Sequence, residues 1–230
     1  MTLSVSEYTT LAACIAAMVV YHAFYYIYIL KDNRDQTQLS ANYHNAYLWV
    51  TKHLFKSDAS SSTLGIHVLR NTVLIAIFVG GTAFTIAYDY LNNFDNYDIS
   101  SASGVRAIIL AALLFSSFLN WASVIRCVSH LGYLMGASAT DEDDERVGET
   151  YVERMGSLAN NMTYHFTLGF RFIFVSIPFA LFSAGVTAML ISTVLLLAFL
   201  FDLDYRSYRS NRGYLQAQQP PPSSTSTVNV

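Results

Sequence analysis

The sequence predicts an all-α fold, a four-helix transmembrane bundle with two amphipathic helices at its cytosolic interface. Three observations predict it. Of 230 residues 53% are hydrophobic and only 13% are charged, whereas a soluble domain carries roughly 25% charge. Mean hydropathy is +0.34, too high for a surface that meets water on every side. The apolar residues also gather into long uncharged runs, the pattern of helices that cross hydrocarbon. With a net charge of −3 the chain has nothing to neutralise a run of phosphates, so nucleic acid is excluded as a partner. Cys14 and Cys127 lie within or beside apolar runs, which leaves neither a disulfide framework nor a zinc knuckle.

The spans follow from charge-free runs. Crossing about 30 Å of hydrocarbon takes roughly 20 apolar residues at 1.5 Å each. Tyr8 to Leu30 is uncharged between Glu7 and Lys31, and forms the first span. Asn71 to Tyr88 forms the second and Ala107 to Ile125 the third, bracketed by Arg106 and Arg126. The fourth run, Phe172 to Phe201, holds 30 residues, more than one upright crossing needs. Pro178 cannot donate its backbone N–H, so the span is placed at Pro178 to Phe201, with Phe172 to Ile177 as its lead-in. The first run is too long for a signal-peptide core and has no basic residue before it, so the first helix is expected to stay in the mature protein.

Two connections carry amphipathic patterns. In the first, Tyr43, Ala46, Tyr47, Val50 and Leu54 recur at helical spacing with Lys52 and Lys56 on the polar side, which predicts a helix lying at the membrane surface. In the third, the acidic run Asp141 to Glu145 precedes Tyr151, Met155, Leu158, Met162 and Phe166. That spacing predicts a second surface helix with acids in its first turn, where the helix dipole favours them. The transmembrane domain is thus expected over 1–205. A polar tail follows over 206–230, with Pro220 to Pro222 and a Ser/Thr-rich end, of disordered composition.

Nine Lys and Arg lie in or beside the first and third connections and four on the opposite side. This places both long connections in the cytosol and both termini outside. The sequon Asn161-Met162-Thr163 then faces the cytosol and stays unmodified.

The polar residues near the spans collect at that cytosolic side. His67, Arg70 and Asn71 share one helix face, Arg126 and His130 another, and Tyr164 and Arg171 line up on the last helix. His22 stands one turn before Tyr25 and Tyr26, and His165 precedes the fourth span. If these faces converge, they form a basic mouth. Arg70, Asn71, Arg126, His130 and Arg171 are therefore the candidate residues for an anion or a lipid headgroup, since a guanidinium fork matches phosphate. His22, His67 and His165 are secondary candidates. The plainer reading is that these groups snorkel to the interface and cap helix ends. A bis-histidine haem or metal site would need His22 and His130 at one depth on facing helices.

No nucleophile elbow, zinc-protease pair or Gly-rich phosphate loop occurs, and no acid falls inside a predicted span. Asp202 and Asp204 read as a stop signal at the outer end of the last span. No catalytic residue, metal ligand or cofactor is assigned. Gly80-Gly81 with Ala76 and Ala83, and Ala107 with Ala111 and Ala112, offer close-contact helix faces. Ser116, Ser117 and Asn120 are placed to hydrogen-bond across to a neighbouring helix.

The order of short motifs resembles a known family. Tyr21-His22 is followed by Asn45 to Trp49 and Val50, then Val68-Leu69-Arg70-Asn71, Ile125-Arg126 with His130, and Phe166 to Arg171 before Pro178. This is similar to the uncharacterised plant and bacterial membrane family, domain of unknown function 599, over roughly Tyr21 to Asp204. The resemblance implies a multi-pass membrane protein and no particular activity. The acidic run and the polar tail are not features of that family's pattern.

Three functions are carried forward. The first is a non-enzymatic bundle that binds membrane lipid or a partner membrane protein. The second is a small transporter or channel subunit that recognises an anion through the Arg/His mouth, for which four helices predict a homo-oligomer. The third is a haem- or metal-binding redox subunit.

Overall fold

A computed structural model describes residues 5–30, 45–46, 48–50, 59–93, 101–138 and 145–218. Helix α1 covers Val5–Phe24 and passes into a π-helical turn, Tyr25–Leu30. Then come α2, Ala59–Asn92, α3, Ala102–Ser138, and α4, Glu145–Leu181. A 3₁₀ turn, Phe182–Ala184, leads to α5, Val186–Gln218. The described residues are helical with no strand, as the sequence predicts.

The number of membrane-length helices differs from the expected four. Among the described residues five are long and apolar enough to cross a bilayer: Glu7–Ile27, Thr63–Asn92, Ser103–Met135, Tyr151–Ala184 and Val186–Asp204. The run Phe172 to Phe201 is two helices, not one span. Gly185 breaks it: its φ of 118° and ψ of 163° are open only to glycine, and its N–H donates to Phe182 O at 2.9 Å. Pro178 neither starts nor interrupts a helix. It lies inside the last turn of α4, and Phe172 to Ile177 belongs to the same helix.

The second amphipathic stretch is therefore no surface helix. It is the first half of α4, where Met155 and Ala159 are fully buried and Tyr151, Leu158, Met162 and Phe166 pack around them. The apolar stripe faces protein along a helix of 37 residues, about 55 Å long. Of the first connection, residues 45–46 and 48–50 are described. Val50 is fully buried, with Ala46 and Trp49 packed against the same cluster, so this piece is seated on the bundle. Tyr43, Tyr47, Lys52, Leu54, Lys56 and Asp141 to Asp144 lie outside the described residues. So does the end of the chain from 219, while α5 runs on past the expected tail start at 206.

Helix α3 packs between α2 and α4, and small residues let it approach both. Trp121 has no exposed surface. An added Cβ at Gly80 on α2 would stand 2.7 Å from Trp121 Cβ, and one at Gly169 on α4 2.9 Å from the indole. Ser117 Oγ crosses to donate to Gly169 O at 2.9 Å. In lipid there is little hydrophobic drive between helices, so this close packing and the buried hydrogen bond hold the three together. Ala76, Ala83, Ala107 and Ala111 are buried as expected, whereas Gly81 and Ala112 face outward. Above this layer a second cluster joins Leu11, Cys14 and Met18 of α1 to Leu110 and Leu114 of α3 and to Phe179, Phe182 and Met189 of the α4–α5 hairpin.

Tyr21, near the end of α1, bonds Asp204, far along α5. The two helices therefore run parallel, and the described chain starts at one end of the bundle and finishes at the other. Four crossings would have brought both ends to one face. The expectation of both termini on one side follows from four crossings, and an odd number of membrane-length helices among the described residues does not supply it.

Candidate functional site

At the end of the bundle where α3 finishes and α4 begins, a groove of about 570 Å³ lies between the two helices. Arg126 and His130 line it from α3, and Arg154, Ser157, Asn161 and His165 from α4. Helical spacing builds both walls, because residues three and four apart share a face. His165 Nδ1 donates to Asn120 Oδ1 at 2.9 Å, and Asn120 Nδ2 donates to Ser116 O at 2.8 Å. That chain fixes the imidazole and leaves its Nε2 for the groove. None of the lining residues is acidic among the described residues. Arg126 and Arg154 are both exposed, so their guanidinium groups are available to a ligand. Two forked cations on facing helices, with hydroxyl and amide donors and the His130 imidazole between them, suit a phosphate or another oxyanion.

Arg171, a principal candidate, is elsewhere. Its Nη2 donates to Asp204 Oδ1 at 2.5 Å, with side-chain exposures of 12% and 4%. Its guanidinium carbon sits 4.3 Å from the centre of the Tyr25 ring, which the π-helical turn presents. The second carboxylate oxygen accepts from Tyr21 Oη at 2.6 Å. A charge at this depth must be paired, and Arg171, Asp204, Tyr21 and Tyr25 form such a centre among α1, α4 and α5. Asp204 is thus no outer stop signal.

Arg70, Asn71 and His67 do not reach the groove. The buried row of α2, Leu69, Ala76, Gly80 and Ala83, turns to α3, while these three polar residues are exposed on another face. His22 hydrogen-bonds Met18 O through Nδ1 at 2.8 Å and lines a separate apolar recess with Met18 and Leu168. His22 and His130 therefore line different cavities. Of the expected residues, Arg126, His130 and His165 come together in the groove, and His22 and Arg171 both border the recess.

Sequence reasoning missed Arg154, Asn161 and Asp204 as site residues. A signal for the first two exists: Arg154, Asn161 and His165 form a polar stripe at seven and eleven residues along α4. Reading α4 as a surface helix turned that stripe towards water. Asp204 was hidden by the four-span count, which put it at the opposite membrane face from Arg171.

A family model described as a protein of unknown function, DUF599, matches residues 9–209. The chain belongs to the DUF599 family. Every groove residue and the whole Arg171–Asp204 centre of this DUF599 protein fall inside the matched region. The five apolar helices mark it as an integral membrane protein. No curated protein and no solved structure matches this DUF599 chain.

Proposed function

We propose that this DUF599 protein is a non-enzymatic helical bundle that holds an anionic group in the groove between α3 and α4, at its cytosolic end. The observation that carries the reading is the convergence of Arg126, His130, Arg154 and His165 on one cavity, with no acidic residue among the described residues of its lining. Charge distribution supports the sidedness. With five crossings, Arg206, Arg209 and Arg212 join the cations of both long connections at one end, and Arg106 is the lone cation at the other. Lys and Arg gather on the cytosolic side, so the N-terminus is outside and the C-terminus inside. The groove then lies where inner-leaflet headgroups and cytosolic anions are both present.

The test is calorimetric titration of the purified protein in a neutral detergent with inorganic pyrophosphate. Wild type is expected to bind saturably, and Arg126→Gln with Arg154→Gln to bind at least ten-fold more weakly with an unchanged melting temperature. Equal binding by both proteins would remove the groove as an anion site.

A further inference from the structure

The groove continues into the membrane. On α4, Arg154, Asn161, Leu168 and Val175 stand at seven-residue intervals and so form one stripe. The first two line the groove, and the second two line the apolar recess. On α3 the stripe Cys127, Asn120 and Leu113 runs the same way, from the groove to the recess. The two cavities are therefore successive stretches of one seam along α3 and α4, polar below and apolar above, with His165 and Asn120 bonded at the junction.

The recess measures about 220 Å³ and is closed on its far side by Met18 and Val19 of α1. An apolar cavity of roughly 150 Å³ already stays dry and takes up hydrocarbon. From Asn161 to Val175 the seam runs about 21 Å, longer than one leaflet's share of the hydrocarbon, roughly 15 Å. Val19 is 61% exposed, so the α1 wall of the recess itself borders the lipid. A soluble anion would use only the lower part of this seam. An amphiphile with an anionic head uses all of it.

We propose that the seam seats a phosphate-bearing inner-leaflet lipid, its phosphate between Arg126 and Arg154 and one acyl chain rising past Leu168 into the recess beside α1. This rests on the reading of the groove as an anion site. The test is photolabelling of the intact protein in nanodiscs with phosphatidylglycerol carrying a diazirine at mid-chain. The exposed Phe78 face of α2 serves as the control for ordinary lipid contact. Labelling of the segments holding Met18 and Val19 or Leu168 to Val175 is expected to exceed that at Phe78 ten-fold or more, and to fall to the control level in Arg126→Gln/Arg154→Gln. Both arginines are exposed, so that variant is expected to stay folded. Labelling spread evenly over the seam and Phe78, or unchanged in the variant, overturns the lipid seat. If pyrophosphate still binds in an arginine-dependent way when the lipid does not label, the anion site stands and only the lipid is wrong.

Discussion

Removing the carboxylate of Asp204 tests the packing of α1 and α5 onto the rest of the bundle. Both members of the Arg171–Asp204 pair are almost fully shielded, at 12% and 4% exposure, so no solvent screening softens the loss. Breaking a buried pair by removing one partner costs about 3–5 kcal/mol, because the remaining charge stays uncompensated. The Tyr21 hydroxyl loses its acceptor as well, which adds about 1–3 kcal/mol. Asp204→Ala should therefore cost about 4–8 kcal/mol, a large fraction of the roughly 5–15 kcal/mol of a typical domain. Arg171→Met with Asp204→Leu removes both charges at similar volume, and such replacements are often neutral or better. The double variant should recover at least about 3 kcal/mol relative to Asp204→Ala. Reversible unfolding in mixed micelles, followed by circular dichroism, measures each corner of the cycle. A loss below about 1 kcal/mol in Asp204→Ala would refute the burial argument. A double variant as unstable as the single one would show that charge compensation is not what Asp204 supplies.

Three further outcomes are expected. Gly80→Ala, whose Cβ would meet Trp121 Cβ at 2.7 Å, should destabilise by about 1–3 kcal/mol. The neighbouring Gly81→Ala, with nothing within 4 Å, should stabilise by about 0.5–1 kcal/mol; equal melting temperatures would deny the clamp on Trp121. Gly185→Ala should cost about 1–3 kcal/mol through its disallowed backbone angles, read from the same unfolding curves. A glycosylation sequon appended to the N-terminus should be modified in microsomes, one appended to the C-terminus should not, and Asn161 should remain bare. Modification of both appended sequons would restore four crossings.

The helical class and the first three spans were legible because uncharged runs report directly on the solvent a helix meets. The fourth run misled for a specific reason. Hydropathy stays high through Phe182, Ser183, Ala184 and Gly185, so nothing polar announces a turn that is itself apolar. Pro178 drew attention as the breaker, but Pro is tolerated in membrane helices when other groups meet the freed backbone. Here Pro178 falls in the last turn of α4, where only three residues follow it before the helix ends at Leu181. The glycine seven residues later makes the turn. The groove was half legible: Arg126, His130 and His165 were named from spacing, while Arg154 was counted only as a charge. Arg70 failed because sharing a face with His67 and Asn71 says nothing about which way that face turns. The buried row through Leu69, Ala76, Gly80 and Ala83 was available to settle it.

The turn at Gly185 and the pairing of Arg171 are one problem with one solution. On a continuous helix the 33 residues separating Arg171 from Asp204 would place them about 50 Å apart, and each charge would need its own partner or its own route to water. The turn folds the second half of the run back along the first, so the carboxylate on α5 meets the guanidinium on α4. The same reversal makes the number of membrane-length helices among the described residues odd and, on the proposed sidedness, groups Arg206, Arg209 and Arg212 with the cations of the long connections. It also makes α5 parallel to α1, so Tyr21 reaches the second oxygen of Asp204 and Met18 and Val19 stand over the recess. A bundle without this turn would have an unpaired arginine in hydrocarbon, divided flanking charge and no third wall for the seam. The polar residues that the four-span reading left as separate interfacial groups then fall into two sets. One holds α1, α4 and α5 together at the Arg171–Asp204 pair, and the other lines an open groove between α3 and α4 with charge left over for a ligand.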